Sequence, residues 1–139
     1  MSSDVEALVR DGRIERIEAD ADAALEKVGE AARHLDSATL IADADPAGAY
    51  SLLYDAARKA IDAHMLASGY RVSKGHLGAH EATARYASAT LGEDAQQFDR
   101  MRRNRNRSEY GVWEVGRSTL EADLEHARRI VLAVENELA

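Results

Sequence analysis

The strongest constraint on the fold of this chain is an apolar repeat of three to four residues that runs along most of its length. Such spacing is typical of amphipathic α-helices that bury one face. One long helix is predicted by the apolar positions Ile14, Ile17, Ala21, Leu25, Val28, Ala32, Leu35, Ala38 and Ala42. Gly12 is expected to separate this helix from a short leading one. No segment alternates apolar and polar residues with a period of two, so no β-strand is expected.

Boundary signals divide the rest of the chain into further helices. Asp45 and Pro46 predict a helix N-terminus, because aspartate caps free amides and proline suits the first helical position. Further boundaries are expected at Ser68–Gly69, at His76 and Leu91, at Asp94 and Tyr110, and at Ser118–Glu121, where a capping box opens the last helix. Short connections favour antiparallel neighbours. The prediction is an all-α, up-and-down antiparallel bundle of four main helices plus short extra helices, in one domain spanning residues 1–139.

Composition excludes several classes of protein. The chain has no cysteine, which excludes disulfides, thiol nucleophiles and thiolate metal sites. It contains no apolar run of about twenty residues, the length that a membrane-spanning helix needs. Its first residues lack the basic and then apolar pattern of a secretory signal. We therefore expect a cytoplasmic protein without a membrane partner.

The charge of the chain is unevenly distributed. The formal net charge is −7, yet residues 100–110, RMRRNRNRSEY, hold five arginines against one glutamate. That segment carries +4, so the other 128 residues carry −11. A general nucleic-acid binder is usually basic across a whole face, and this chain would repel phosphate over most of its surface. Any anion must therefore be bound at one focused position.

The arginine segment has two interpretations. A solvated, charged helix face is the usual explanation for a run of charges. A phosphate site is favoured because the run is nearly of one sign and because the guanidinium fork suits bidentate phosphate contacts. Arg105 follows Phe98 by seven residues, so it is expected to point toward the core. A more outward stripe is expected to comprise Arg100, Arg103 and Arg107.

Metal-binding motifs are weak in this chain. His76 and His80 are four residues apart and could share a helix face, but no third ligand is evident. The Glu-x-x-His pairs of di-iron bundles do not occur. His64 lies on an apolar helix face and is expected to be a hydrogen-bonded core residue. We therefore predict no metal and no cofactor.

Three segments in order carry a resemblance to a known family. They are AYSLLYDAARKAIDAHMLASGY, SKGHLGAH and RMRRNRNRSEYG, and a closing helix follows them. Together they resemble the HEPN superfamily over residues 31–138. HEPN domains are small helical bundles found in prokaryotic toxin–antitoxin modules and in RNA-cleaving systems. The resemblance implies a helical bundle that acts on RNA.

The superfamily's signature implies site residues. Active members carry arginine, a polar residue that is often asparagine, three further residues and then histidine, and they act as metal-independent RNases, typically as dimers. Matching the pair Arg105-Asn106 places Tyr110 at the histidine position, and this register resembles a branch whose motif ends in tyrosine. Matching Arg103-Asn104 instead places Ser108 there. In the first register the implied catalytic residues are Arg105, Asn106 and Tyr110, with phosphate contacts from Arg102, Arg103 and Arg107.

Three functions are open at this point. The first is a toxin-type homodimer that binds RNA or cleaves it without metal. The second is a catalytically inactive module that binds a nucleotidyltransferase antitoxin, with Tyr110 as the acceptor of a modification. The third is a structural dimerisation partner whose arginines meet carboxylates.

Overall fold

A computed structural model describes residues 2–74, 78–111 and 113–139 of the chain. Its helices are α1 Ser2–Arg10, α2 Ala21–Ile41, α3 Pro46–Ser68, α4 Ala79–Leu91, α5 Phe98–Glu109 and α6 Arg117–Leu138. A short 3-10 helix spans Gly92–Ala95, and two three-residue strands are β1 Ile14–Arg16 and β2 Tyr70–Val72. The predicted all-α helical bundle is confirmed. Within the described ranges, no helix is long and apolar enough to cross a membrane.

Helix α3 lies at the centre of the bundle and packs against α2, α4, α5 and α6. Small residues on two sides of α3 allow this close packing, and five of them are fully buried alanines: Ala49, Ala56, Ala57, Ala60 and Ala63. Tyr50 and Tyr54 extend from the same helix into the core. Both tyrosine rings lie on the side of the bundle where α5 packs. Helix α3 is therefore the helix against which the arginine segment lies.

The predicted boundaries of α3 are confirmed. The Asp45 side chain accepts a hydrogen bond of 3.0 Å from the Gly48 amide, and Pro46 begins the helix. Gly69 ends it with a φ of +88°, a conformation that glycine adopts without steric cost. Local capping chemistry therefore determines both ends of the central helix.

The prediction of a helix beginning at Ile14, and of no strands, was wrong. Residues Ile14–Arg16 form β1, which pairs antiparallel with β2 so that Ile14 lies opposite Val72. Helix α2 begins only at Ala21, after the Asp20 side chain caps the Ala23 amide at 3.0 Å. The physical reason is that Ile14 pairs with Val72, which lies 58 residues further along the chain. The spacing of apolar residues within one segment cannot reveal such a distant partner.

Three further boundaries differ from the prediction or lie outside the described residues. Gly116 occupies the N-cap of α6, so Ser118 lies inside the helix and the predicted capping box is not formed. The helix predicted from Asp94 is divided into the short 3-10 helix and α5, which begins at Phe98. The predicted helix start at His76 lies outside the described residues, and α4 is described from Ala79 onward.

Candidate functional site: an arginine at a tyrosine–histidine pair

Helix α5 is anchored to the bundle by two apolar side chains. Phe98 and Met101 are buried, as the sequence predicts. The Phe98 ring stacks on the Tyr54 ring of α3, with 5.2 Å between ring centroids and an interplanar angle of 17°. These contacts determine which face of α5 is turned toward α3.

Arg100 does not belong to an outward stripe, and that prediction was wrong. Its guanidinium donates hydrogen bonds of 2.5 and 3.1 Å to the two carboxylate oxygens of Asp123 on α6. Asp123 is fully buried and also accepts a bond of 2.6 Å from the Tyr50 hydroxyl. A buried carboxylate requires a charged partner, so Arg100 has a structural role rather than a surface one.

Arg105 points toward the bundle, as its spacing from Phe98 predicts. Its side chain is 29% exposed, and its guanidinium carbon lies 5.6 Å from the centroid of the Tyr54 ring. Among the residues that the structure describes, its Nε is the one buried side-chain nitrogen or oxygen atom without a hydrogen-bond partner. The nearest carboxylate, that of Glu109, lies 4.0 Å from Nε, which is too long for a hydrogen bond. Arg105 therefore retains the capacity to donate to an anion.

His80 lies near this arginine on a different helix, and both residues contact Tyr54. It lies in the first turn of α4, and its Nδ1 is 2.9 Å from the Tyr54 hydroxyl. Partial burial lowers the pKa of His80, and the positive charges of Arg58, Arg105 and Arg102 lower it further. The imidazole is consequently neutral at pH 7.

Tyr54 joins the two groups. Burial raises the pKa of its hydroxyl to about 12, so it remains protonated at neutral pH. A hydroxyl can donate or accept, so Tyr54 can stabilise either neutral tautomer of His80 while its ring supports Arg105. We refer to Tyr54, Arg58, His80, Arg102 and Arg105 as the Arg105 site.

Sequence reasoning did not find His80, Tyr54 or Arg58 as members of this site. The sequence indicated His80 only as a weak metal-ligand candidate with His76, and it assigned no role to Tyr54 or Arg58. One signal was available: Tyr54 and Arg58 are four residues apart on α3 and so share a face. Their proximity to Arg105 depends on how α4 and α5 pack on α3.

The predicted phosphate-binding arginines differ in their surroundings. Arg102 and Arg103 both donate to the Asp99 carboxylate of their own helix, at 2.9 and 2.6 Å. The Arg103 side chain is 60% exposed, and Arg107 is exposed one turn further along α5. Of the three, Arg102 is the one whose positive charge helps to lower the pKa of His80.

The remaining predicted catalytic residues lie at the C-terminal end of α5. The Asn106 side-chain oxygen accepts a long hydrogen bond of 3.4 Å from Arg105. Tyr110 follows the helix and is 83% exposed. Within the described ranges, no hydrogen bond joins Tyr110 to Arg105. The structure thus brings Arg105 and Asn106 together and leaves Tyr110 at the surface.

Predictions from the sequence also concern two other histidines, His64 and His76. His64 is the hydrogen-bonded core residue that the sequence predicts, with Nδ1 2.8 Å from the Tyr86 hydroxyl and Nε2 2.6 Å from the Glu137 carboxylate. His76 lies outside the described residues. Elsewhere in the chain, no group of three or more histidine or acidic residues among those described is arranged to hold a metal ion.

Comparisons with models of protein families, with curated proteins and with solved structures found no significant match for this chain.

Proposed function

We propose that this chain is a HEPN-like, toxin-type protein that acts on RNA as a metal-independent endoribonuclease at the Arg105 site. The observation that carries the proposal is the half-buried Arg105, which no carboxylate of the described residues meets at hydrogen-bond distance, near the neutral imidazole of His80. An arginine of this kind suits an anionic ligand, and a neutral histidine suits proton transfer. The resemblance of RMRRNRNRSEYG to the HEPN signature supports RNA as the source of the anion.

In this proposal Arg105 binds the scissile phosphodiester. Its guanidinium donates to the non-bridging oxygens, while the nearby charges of Arg58 and Arg102 increase the local positive potential. Because the rest of the chain is acidic, the contact is confined to a few phosphates. Asn106, already bonded to Arg105, orients the guanidinium.

His80 then serves as the general base. It accepts the proton of a ribose 2′-hydroxyl, the 2′-oxygen forms a bond to phosphorus, and the bond from phosphorus to the 5′-oxygen breaks. The leaving 5′-oxygen takes a proton from water and His80 releases its proton to solvent, so the products are a 2′,3′-cyclic phosphate and a 5′-hydroxyl. We assign the proton transfer to His80 rather than to Tyr110, because His80 is the group that adjoins Arg105 through Tyr54.

The test is cleavage of RNA by the purified chain in the presence of EDTA. Arg105→Ala and His80→Ala are each expected to lower the rate by about 100-fold or more, the scale of a lost transition-state donor for Arg105 and of a lost acid–base group for His80. Arg129→Ala is the matched control, since Arg129 is an exposed arginine paired with Asp94 on another side of the bundle. Cleavage at the parental rate in both site variants, or a strict requirement for a divalent metal, would overturn the proposal.

A second function is favoured by one observation, the 83% exposure of Tyr110. A nucleotidyltransferase antitoxin could reach such a hydroxyl and transfer a nucleotidyl group to it from a nucleoside triphosphate, releasing pyrophosphate. In that case the chain is a catalytically inactive module. Co-expression with the neighbouring gene should then increase the mass of the chain by one nucleotidyl group, and Tyr110→Phe should abolish the increase. An unmodified Tyr110 after co-expression would exclude this function.

A further inference from the structure

A cavity of about 410 Å³ lies directly beside the Arg105 site, between α2, α3, β2 and the first turns of α4. Its lining includes Lys27, Arg58, Asp62, Tyr70, Val72 and His80. Arg58 and His80 therefore belong to both the cavity and the Arg105 site. The volume falls within the range of small-molecule sites, which are about 300–1,000 Å³.

The cavity combines apolar walls with one carboxylate among several cations. Tyr70 and Val72 supply apolar surface. Asp62 accepts a hydrogen bond of 3.3 Å from Arg58, and the charge of Lys27 also acts on it. Burial nonetheless raises the pKa of Asp62 above its ordinary value, so these cations only partly compensate for its loss of water. A ligand that donates hydrogen bonds to Asp62 would compensate for the rest of the hydration that this carboxylate loses.

A nucleobase fits this combination better than a simple anion does. The flat apolar faces of a base can pack against the apolar walls of the cavity. Its polar edge can form hydrogen bonds with the charged residues that line the cavity. Guanine presents N1–H and N2–H donors to a carboxylate, and O6 and N7 acceptors to an arginine or lysine. Uracil offers a carboxylate one donor, and an inorganic phosphate offers none.

We infer that this cavity is a guanine subsite, which binds the base of the nucleotide whose phosphate is held by Arg105. The choice of ligand rests on the proposed action on RNA. Asp62 accepts from the donor edge of guanine, and Lys27 or Arg58 donates to its acceptor edge. His80, at the boundary between the cavity and the Arg105 site, then lies between the base and the phosphate.

The test is equilibrium binding of guanosine 3′-monophosphate, uridine 3′-monophosphate and inorganic phosphate to the full chain. The guanosine nucleotide is expected to bind on the order of tenfold more tightly than the uridine nucleotide, as for a good bidentate base contact. Asp62→Asn removes one acceptor and should reduce the preference to less than about twofold, whereas phosphate binding should be retained or strengthened because Arg58 loses its anionic partner. Val72→Trp should fill the cavity and abolish the preference. Its control is Val115→Trp, which lines a separate cavity beside Thr39 and Leu120.

The outcomes separate this inference from the proposed function. Equal binding of the two nucleotides and of phosphate would overturn the guanine subsite, even if RNA cleavage still depends on Arg105. A guanosine preference that Asp62→Asn removes would support the subsite, even if RNA cleavage does not depend on Arg105. If Val72→Trp fails to fold, Lys27→Gln together with Asp62→Asn provides the same comparison, and a preference that survives both substitutions overturns the inference.

Discussion

Arg100 on α5 donates two hydrogen bonds to the carboxylate of Asp123 on α6, and Asp123 is fully buried. The Tyr50 hydroxyl of α3 donates a third bond to the same carboxylate. Three helices are thus joined at one charged group. Because Arg105 lies five residues after Arg100 on α5, this ion pair acts together with the buried Phe98 and Met101 to fix the rotation of α5 that turns Arg105 toward Tyr54.

Replacing Arg100 should destabilise the fold strongly. In Arg100→Met the aliphatic part of the side chain is kept, but the buried Asp123 loses its charged partner. Removing one member of a buried pair leaves an uncompensated charge, so we expect the free energy of unfolding to fall by about 3 kcal/mol. Denaturant-induced unfolding measures this change.

The matched control for Arg100 is Arg129→Met. Arg129 forms a similar ion pair with Asp94 at 3.0 Å, but both side chains are about half exposed. Pairs of this kind contribute about 0–1 kcal/mol. Equal losses in the two variants would mean that Asp123 is not held in the buried pair.

Two glycine substitutions should have opposite effects. Gly69 has a φ of +88°, and an added Cβ would lie 3.1 Å from the Ile17 carbonyl oxygen. Gly69→Ala is therefore expected to cost about 1 kcal/mol or more. Gly29 lies within α2, where an added Cβ would meet only the end of the Arg33 side chain at 3.7 Å. Gly29→Ala should stabilise the chain by about 0.5–1 kcal/mol, because alanine favours helix interiors. Thermal unfolding of both variants checks the signs.

His80 should make the fold less stable as the pH falls. Its pKa is lowered from 6.5 in the folded chain, so the unfolded chain binds the proton more readily. The contribution to stability is present above pH 6.5 and is lost as the pH falls from there through the lowered pKa. His80→Gln should remove that part of the pH dependence. Unfolding measured from pH 8 to pH 4 gives the comparison, and identical curves for parent and His80→Gln would contradict it.

If the chain cleaves RNA as we propose, Tyr54→Phe should impair the cleavage through His80. The substitution keeps the ring under Arg105 and removes the hydrogen bond to Nδ1. We expect kcat for RNA cleavage to fall by about tenfold, with a smaller change in KM, because the lost hydrogen bond orients His80, the general base. The acidic limb of the pH profile should also shift.

Tyr110→Phe provides the comparison for Tyr54→Phe. Tyr110 is exposed at the end of α5, so this variant should retain RNA cleavage. A large loss of cleavage in Tyr110→Phe, with none in Tyr54→Phe, would transfer the catalytic role to Tyr110 and restore the assignment that the HEPN signature implies.

The sequence by itself determined features that depend on neighbours within one or two helical turns. The caps at Asp45 and Gly69 are local hydrogen-bond and backbone effects. The inward direction of Arg105 follows from its seven-residue spacing from the buried Phe98. These features do not require knowledge of what the helix packs against.

Only the tertiary structure decided which distant groups meet. Ile14–Arg16 is a strand because Tyr70–Val72 pairs with it, although its apolar spacing alone fits a helix. Arg100 pairs with the buried Asp123 because α5 and α6 pack together there, and His80 comes near Arg105 because both contact Tyr54. The energies of these contacts depend on the burial and the charges of residues that are far apart in the chain. The spacing of apolar residues within one segment does not reveal them.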